Sequence, residues 1–186
     1  EAKVFCTANG SLGHEAQSLP CVHAFNESNF FRPLFNPIGN GVKTLLETRT
    51  AATALDPDHI EATVEEILRF APALHMFTRW AYEDIEVMGH MFRRGDQVGL
   101  LLAAANRDPG IWDRPDRFLA SRPVKPHASF GAGLHFCVGA PLARLELQIA
   151  LPILFRRHPN LRLTGTPAYG DVYHFHGLKE LAVSTT

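Results

Sequence analysis

The stretch Phe130-Gly131-Ala132-Gly133-Leu134-His135-Phe136-Cys137-Val138-Gly139, followed at once by Ala140-Pro141, constrains this chain more than any other part. It sets a single cysteine in a glycine-rich loop just before a helix start, since proline suits a first helical turn, where its missing N–H costs nothing. Gly131 and Gly133 permit backbone conformations that a side chain would oppose, and Gly139 lets another group approach closely. Free N–H groups and the positive end of a helix dipole favour a thiolate over a thiol, the form a nucleophile or metal ligand needs. On these residues alone a buried structural cysteine in a glycine turn is an equally open reading. A zinc site shared by His127, His135 and Cys137 is a lesser reading, since a fourth ligand is not evident nearby.

The 186 residues are enough for one compact domain, and 46% hydrophobic with 20% charged residues excludes disorder, collagen-like repetition and a coiled coil. Lys and Arg number 18 against 19 Asp and Glu, a net charge of -1, so no global field draws the chain to nucleic acid or an anionic membrane. The longest apolar run, Val98 to Ala105, falls far short of the ~20 residues of a membrane-spanning helix. Cys6, Cys21 and Cys137 form no Cys-x-x-Cys pair and cannot all be bridged within one chain, which speaks for a reducing compartment and a cytoplasmic location.

Along the chain, residues 1–37 show no sustained period. A short helix is expected from Gly41 to Arg49, then a stronger one opened by Asp56-Pro57-Asp58 as N-cap and first turn. Ile60, Val64, Ile67 and Leu68 form its apolar stripe, and Pro72 ends it near Phe70. Alternation at Ile85-Glu86-Val87, turns at Gly89-His90 and Arg94-Gly95-Asp96, and the apolar segment Val98 to Leu102 predict short strands. Prolines at 109, 115, 123 and 126 make Asn106 to Pro126 an ordered meander anchored by Trp112 and Phe118. A helix from Pro141 to about His158, which Pro152 should kink by removing an internal hydrogen bond, precedes a tail of short strands.

With these residues in view, the cysteine loop resembles the haem-binding loop of the bacterial-type cytochrome P-450 haem-thiolate monooxygenases, in the pattern F-G-x-G-x-H-x-C-x-G. The resemblance continues through Ala140-Pro141-Leu142-Ala143-Arg144-Leu145-Glu146, and upstream Glu66-Ile67-Leu68-Arg69 resembles the family's Glu-x-x-Arg motif. It covers roughly Ile38 to Val183. It implies a mainly α fold with small β-sheets (α+β), the C-terminal haem-binding half of the family's architecture, over residues 38–186, with 1–37 unassigned. It implies haem b (iron protoporphyrin IX) held by Cys137 as iron ligand, with Phe130, Gly131, His135 and Gly139 in the binding loop and Arg79 and His135 on the propionates. Arg122 would complete a buried structural charge cluster with Glu66 and Arg69.

The implied activity is oxidation of a small organic substrate by dioxygen, with electrons from a ferredoxin or flavoprotein reductase docking near the cysteine side. One position departs from the family pattern: Leu34 and Phe35 stand where the family carries an oxygen-handling threonine, and neither has a proton to relay. Together with the family segments missing ahead of that position, this suggests a truncated or rearranged chain. The alternatives are a non-catalytic haem-binding remnant and an interaction domain without haem.

Overall fold

In the computed structural model the described residues are 32–171 and 174–185, with side chains from residue 37 onward. The reading of residues 1–31 lies outside them, as do the side chains of Leu34 and Phe35.

Three helices make the centre. These are α1 (Arg32–Thr48), α3 (Ile60–Phe70) and α5 (Ala140–Arg157), with the single turn α2 (Ala51–Ala54) between the first two in the chain. Helix α1 begins at Arg32, ahead of the expected Gly41, and carries Pro37 and the glycines at 39 and 41 within it, residues that propensity alone would set at a helix end. They serve packing instead: a Cβ on Gly41 would meet Leu151 at 3.3 Å and Ile67 at 3.5 Å, so glycine lets α1 press against α5 and α3. Because α1 crosses residue 37, the change of composition there is no element boundary.

Helix α3 begins at Ile60, later than the Asp56 cap implied. Asp56 instead closes a turn, its carbonyl accepting from the N–H groups of His59 and Ile60 and its carboxylate from that of Asp58. The helix ends at Phe70, as Pro72 requires. Val42 and Leu45 of α1, Val64, Ile67 and Leu68 of α3, and Leu147 and Leu151 of α5 share one core with Leu178, Leu181 and Val183 of the tail. Each such side chain contributes about 1.5–3 kcal/mol by leaving water.

The strands are short and antiparallel. β1 (Phe77–Trp80) pairs with β4 (Gln97–Leu100), with Arg79 opposite Val98, while β2 (Ile85–Val87) pairs with β3 (His90–Phe92). The β2–β3 turn falls on Met88 and Gly89, both at positive φ (50° and 79°), so His90 is the first residue of β3 and not part of the turn. The apolar segment after Gln97 divides: the strand stops at Leu100, and Leu102–Ala105 coils into the short helix α4. From Asn106 the chain meanders without long elements to two short 3-10 turns, Ala128–Phe130 and Gly133–His135, which lead into α5. Helix α5 continues through Pro152 to Arg157. The tail forms two more ladders, β5 (Arg162–Leu163) with β8 (Val183–Ser184) and β6 (Ala168–Tyr169) with β7 (Leu178–Glu180).

Candidate functional site

Helix α3 carries two neighbouring carboxylates with different partners. Glu66 is 2% exposed and faces Arg69 (1%) and Arg122 (7%). Arg69 donates from Nε to Glu66 Oε2 at 2.7 Å and from Nη2 to Oε1 at 2.8 Å, and Arg122 Nε donates to Oε2 at 2.9 Å. One carboxylate cannot neutralise two guanidinium groups, and the remaining N–H donors go to carbonyls of the meander. Arg69 reaches Asn106 and Pro115 at 2.9 Å, and Arg122 reaches Asp113 at 2.6 Å and Arg117 at 3.1 Å. The Leu119 N–H closes the set on Glu66 Oε1 at 2.9 Å. Trp112, 3% exposed, lies against both guanidinium groups, at 5.2 Å from Arg69 and 6.0 Å from Arg122. A segment with no regular structure of its own is thereby fixed by charge-assisted bonds to one helix.

The cysteine loop is held by its own backbone. Gly131 and Gly133 adopt φ of 68° and 67°, conformations that disfavour other residues, whereas Gly139 is an ordinary N-cap at -82°. The Cys137 N–H donates to Phe130 O at 2.9 Å, and Cys137 O accepts from Ala140 N at 3.2 Å. This turn presents Cys137 exposed and free of any disulfide, which sets aside the buried structural cysteine. Leu134 and Val138 beside it are fully exposed, and Phe136 is half exposed.

Anchors that sequence reading did not single out join this loop to α3. Asn106, 1% exposed, donates from Nδ2 to Ser129 Oγ at 2.7 Å and accepts the Ala128 N–H at 2.7 Å; Ser129 Oγ donates to Leu68 O at 2.7 Å. Glu65 was also missed. Arg144 of α5 grips it with Nε on Oε1 at 2.5 Å and Nη2 on Oε2 at 3.0 Å, while His127 Nε2 lies 3.2 Å from Oε2. Burial pushes the Glu65 carboxyl up, but His127 and Arg144 outweigh it and bring the pKa down to about 2. Side chains that meet across 62 or more residues leave no local signal.

Arg79 lies exposed on β1, donating to Thr78 O at 2.9 Å with its guanidinium over the Phe77 ring. His135 ends the second 3-10 turn and is exposed. Among the described residues no three His, Cys, Asp or Glu side chains stand together to hold a metal ion, and His127 faces Glu65, so the three-ligand zinc arrangement does not form.

A second unforeseen cluster stacks Tyr169 on His176 (centroids 3.8 Å apart) and His176 on His75 (4.2 Å). Burial, with the nearby His75 and Lys43, lowers the His176 pKa to about 4, and burial lowers that of His75 with Arg107 adding to it.

Comparison with known proteins places these features together. The family described as Cytochrome P450 matches residues 58–160. The "Biotin biosynthesis cytochrome P450" of Bacillus subtilis (strain 168) is 45% identical over 152 residues, 80% of this chain and 38% of its own length. The "Polyketide biosynthesis cytochrome P450 PksS" of the same organism is 39% identical over 155 residues, again 80% of this chain and 38% of its own. Among solved structures, P450BioI in complex with hexadec-9Z-enoic acid ligated acyl carrier protein superposes with a TM-score of 0.80 at 39% identity, over 95% of this chain and 46% of that one. CYP164A2 of Mycobacterium smegmatis with econazole bound gives 0.79 at 38% identity, over 88% and 42%. The chain spans 38% of the length of the curated relatives it matches.

Proposed function

The chain belongs to the cytochrome P450 family, with that family's fold of helices and small antiparallel sheets, and from that membership we propose that it binds haem b through Cys137 as the haem-binding part of a monooxygenase. The observation that carries the reading is the exposed Cys137 on a turn whose backbone is fixed at both ends.

The residues present fit the group. A soft sulfur ligand is offered to solvent, flanked by the exposed apolar side chains Leu134, Phe136 and Val138, which suit the rim of an apolar macrocycle. Exposed Arg79 and His135 are free to bind carboxylates such as propionates, Arg79 through a planar fork. When bound, haem with a thiolate ligand supplies dioxygen activation. The chain's own residues do the rest. Phe130 O holds the Cys137 N–H and so orients the sulfur; Gly131 and Gly133 allow the turn; Glu66, Arg69 and Arg122 keep the meander that leads into it in place.

The reaction proposed for the whole protein is oxidation of a small organic substrate by dioxygen, with electrons from a ferredoxin or flavoprotein reductase docking near the cysteine side. A second reading, a haem-binding remnant without turnover, is favoured by Leu34 and Phe35 at the position expected to carry a hydroxyl. The deciding experiment is an absorption spectrum of the reduced, carbon-monoxide-bound protein after haem addition. A thiolate-type spectrum supports the proposal, and a spectrum without one overturns it.

A further inference from the structure

Two glutamates stand side by side on α3, and only Glu66 has a role in the reading above. Its neighbour Glu65 is 12% exposed at its side chain and is joined to both limbs of the cysteine loop. On one limb is His127, the residue before the first 3-10 turn. Its Nδ1 accepts the Ser129 N–H at 3.2 Å, and its Nε2 lies 3.2 Å from Glu65 Oε2. On the other limb is Arg144, one turn into α5, which binds Glu65 through two parallel N–H groups and is therefore fixed in direction as well as position. The same guanidinium lies 4.8 Å from the centre of the Phe130 ring. Phe130 supplies the carbonyl that receives the Cys137 N–H, and its ring meets Phe136 edge-on at 6.3 Å. The links thus run from Glu65 through Arg144 to Phe130, and from Phe130 to the backbone of the cysteine.

We infer that Glu65 is a positioning residue for Cys137: through Arg144 and His127 it sets where the Phe130 carbonyl stands, and so the orientation of the sulfur relative to helices α3 and α5. The inference rests on the haem-thiolate reading for its consequence, while its geometry stands without it. Three features distinguish this role from a surface ion pair, which contributes little. The carboxylate is largely buried, its partners come from positions 62 and 79 residues away, and both partners lie against the loop instead of along the helix surface. Glu66 cannot replace it, since both its oxygens are engaged by Arg69, Arg122 and the Leu119 N–H.

The test compares the full chain with Glu65→Gln, which keeps the size and loses the charge, and with Arg144→Gln, at a side chain 32% exposed. Two readouts are taken: hydrogen exchange at the Cys137 amide, which needs no haem, and the reduced carbon-monoxide spectrum after haem addition. Each variant is expected to speed Cys137 amide exchange by about tenfold, since charge-assisted bonds are the stronger class. Exchange in the remote ladder β5–β8 should stay as in the parent, and the thiolate-type band should shift or lose intensity. The double variant should exchange no faster than the worse single one, because both act through one link. If Glu65→Gln does not fold, Arg144→Gln alone carries the comparison. Unchanged Cys137 exchange in a folded variant would overturn the inference. A parent chain without a thiolate-type spectrum would instead defeat the haem reading, leaving the exchange comparison to decide on Glu65.

Discussion

Arg69 is the residue whose removal should be felt most. Its five donors are spent on Glu66 and on carbonyls of the meander, and truncation would leave Glu66 buried beside a single guanidinium and take the Arg69 donor from the Asn106 and Pro115 carbonyls. Breaking a buried ion pair on one side costs about 3–5 kcal/mol, several times an exposed pair. Arg69→Ala should therefore lower the unfolding free energy from denaturant titration by that much; a loss within about 0.5 kcal/mol would mean that solvent reaches the site freely. At Cys137 the expectation is the reverse. Because the side chain is exposed and its backbone carries the turn, Cys137→Ser should leave helix content and stability nearly unchanged while abolishing the thiolate-type spectrum. Retention of that spectrum would assign the ligand elsewhere. These residues were legible because each belongs to a short pattern, Glu-x-x-Arg or the glycine loop. Glu65 and Asn106 were not, and His127 was read toward zinc, because their meaning lies in partners far along the chain, and a Glu beside a Glu looks like any solvated helix face.

At the scale of elements, legibility followed the directness of the signal. Helix α3 has an apolar stripe and a proline close to its observed end, and α5 a proline in its first turn, whereas α1 contains the residues that usually end helices. Its Gly41 is required by the close approach of Leu151 and Ile67, a tertiary cause invisible in local propensity. The tail ladders are too short for a period, and β6 and β7 are held in part by the Tyr169–His176–His75 stack. Asn40 of α1 adds a donor to His176 O at 3.1 Å. The stack carries a pH dependence. An unfolded histidine titrates near 6.5, while folded His176 stays neutral down to about 4. Between those values the unfolded chain binds the extra proton, so stability falls as pH drops from 6.5 through about 4. The neighbouring groups are His75, Tyr169, Lys43, Glu47 and Arg107. Replacing His176 by Phe keeps a ring in the stack without a titrating nitrogen, and denaturant midpoints from pH 7 to 4 should show a shallower slope than the parent. Equal slopes would place the acid sensitivity in another group.

For the whole molecule, the question is what a haem on Cys137 would meet on its other face. Helix α5 is apolar nearly all round: Ala143, Leu147 and Leu151 are buried, and Leu142, Leu145 and Ile149 are each about half exposed. A helix of that kind is normally covered on both sides. Within the described residues the loop side is open as well, with Leu134, Phe136 and Val138 exposed around the cysteine. Coupled oxygenation depends on excluding water and competing reactions from the site, and on a positioned group that moves protons to bound dioxygen. On the proposed reading Leu34 and Phe35 stand where that group is expected, and neither residue type has a proton to give. The chain taken alone should therefore bind haem yet pass most of the electrons delivered by a surrogate reductase to peroxide, with little product from a panel of small apolar substrates. Simultaneous measurement of oxygen uptake, peroxide and product decides it. Tightly coupled product with little peroxide would show that residues outside those described build a closed, proton-relaying pocket, and the monooxygenase reading would then displace the remnant.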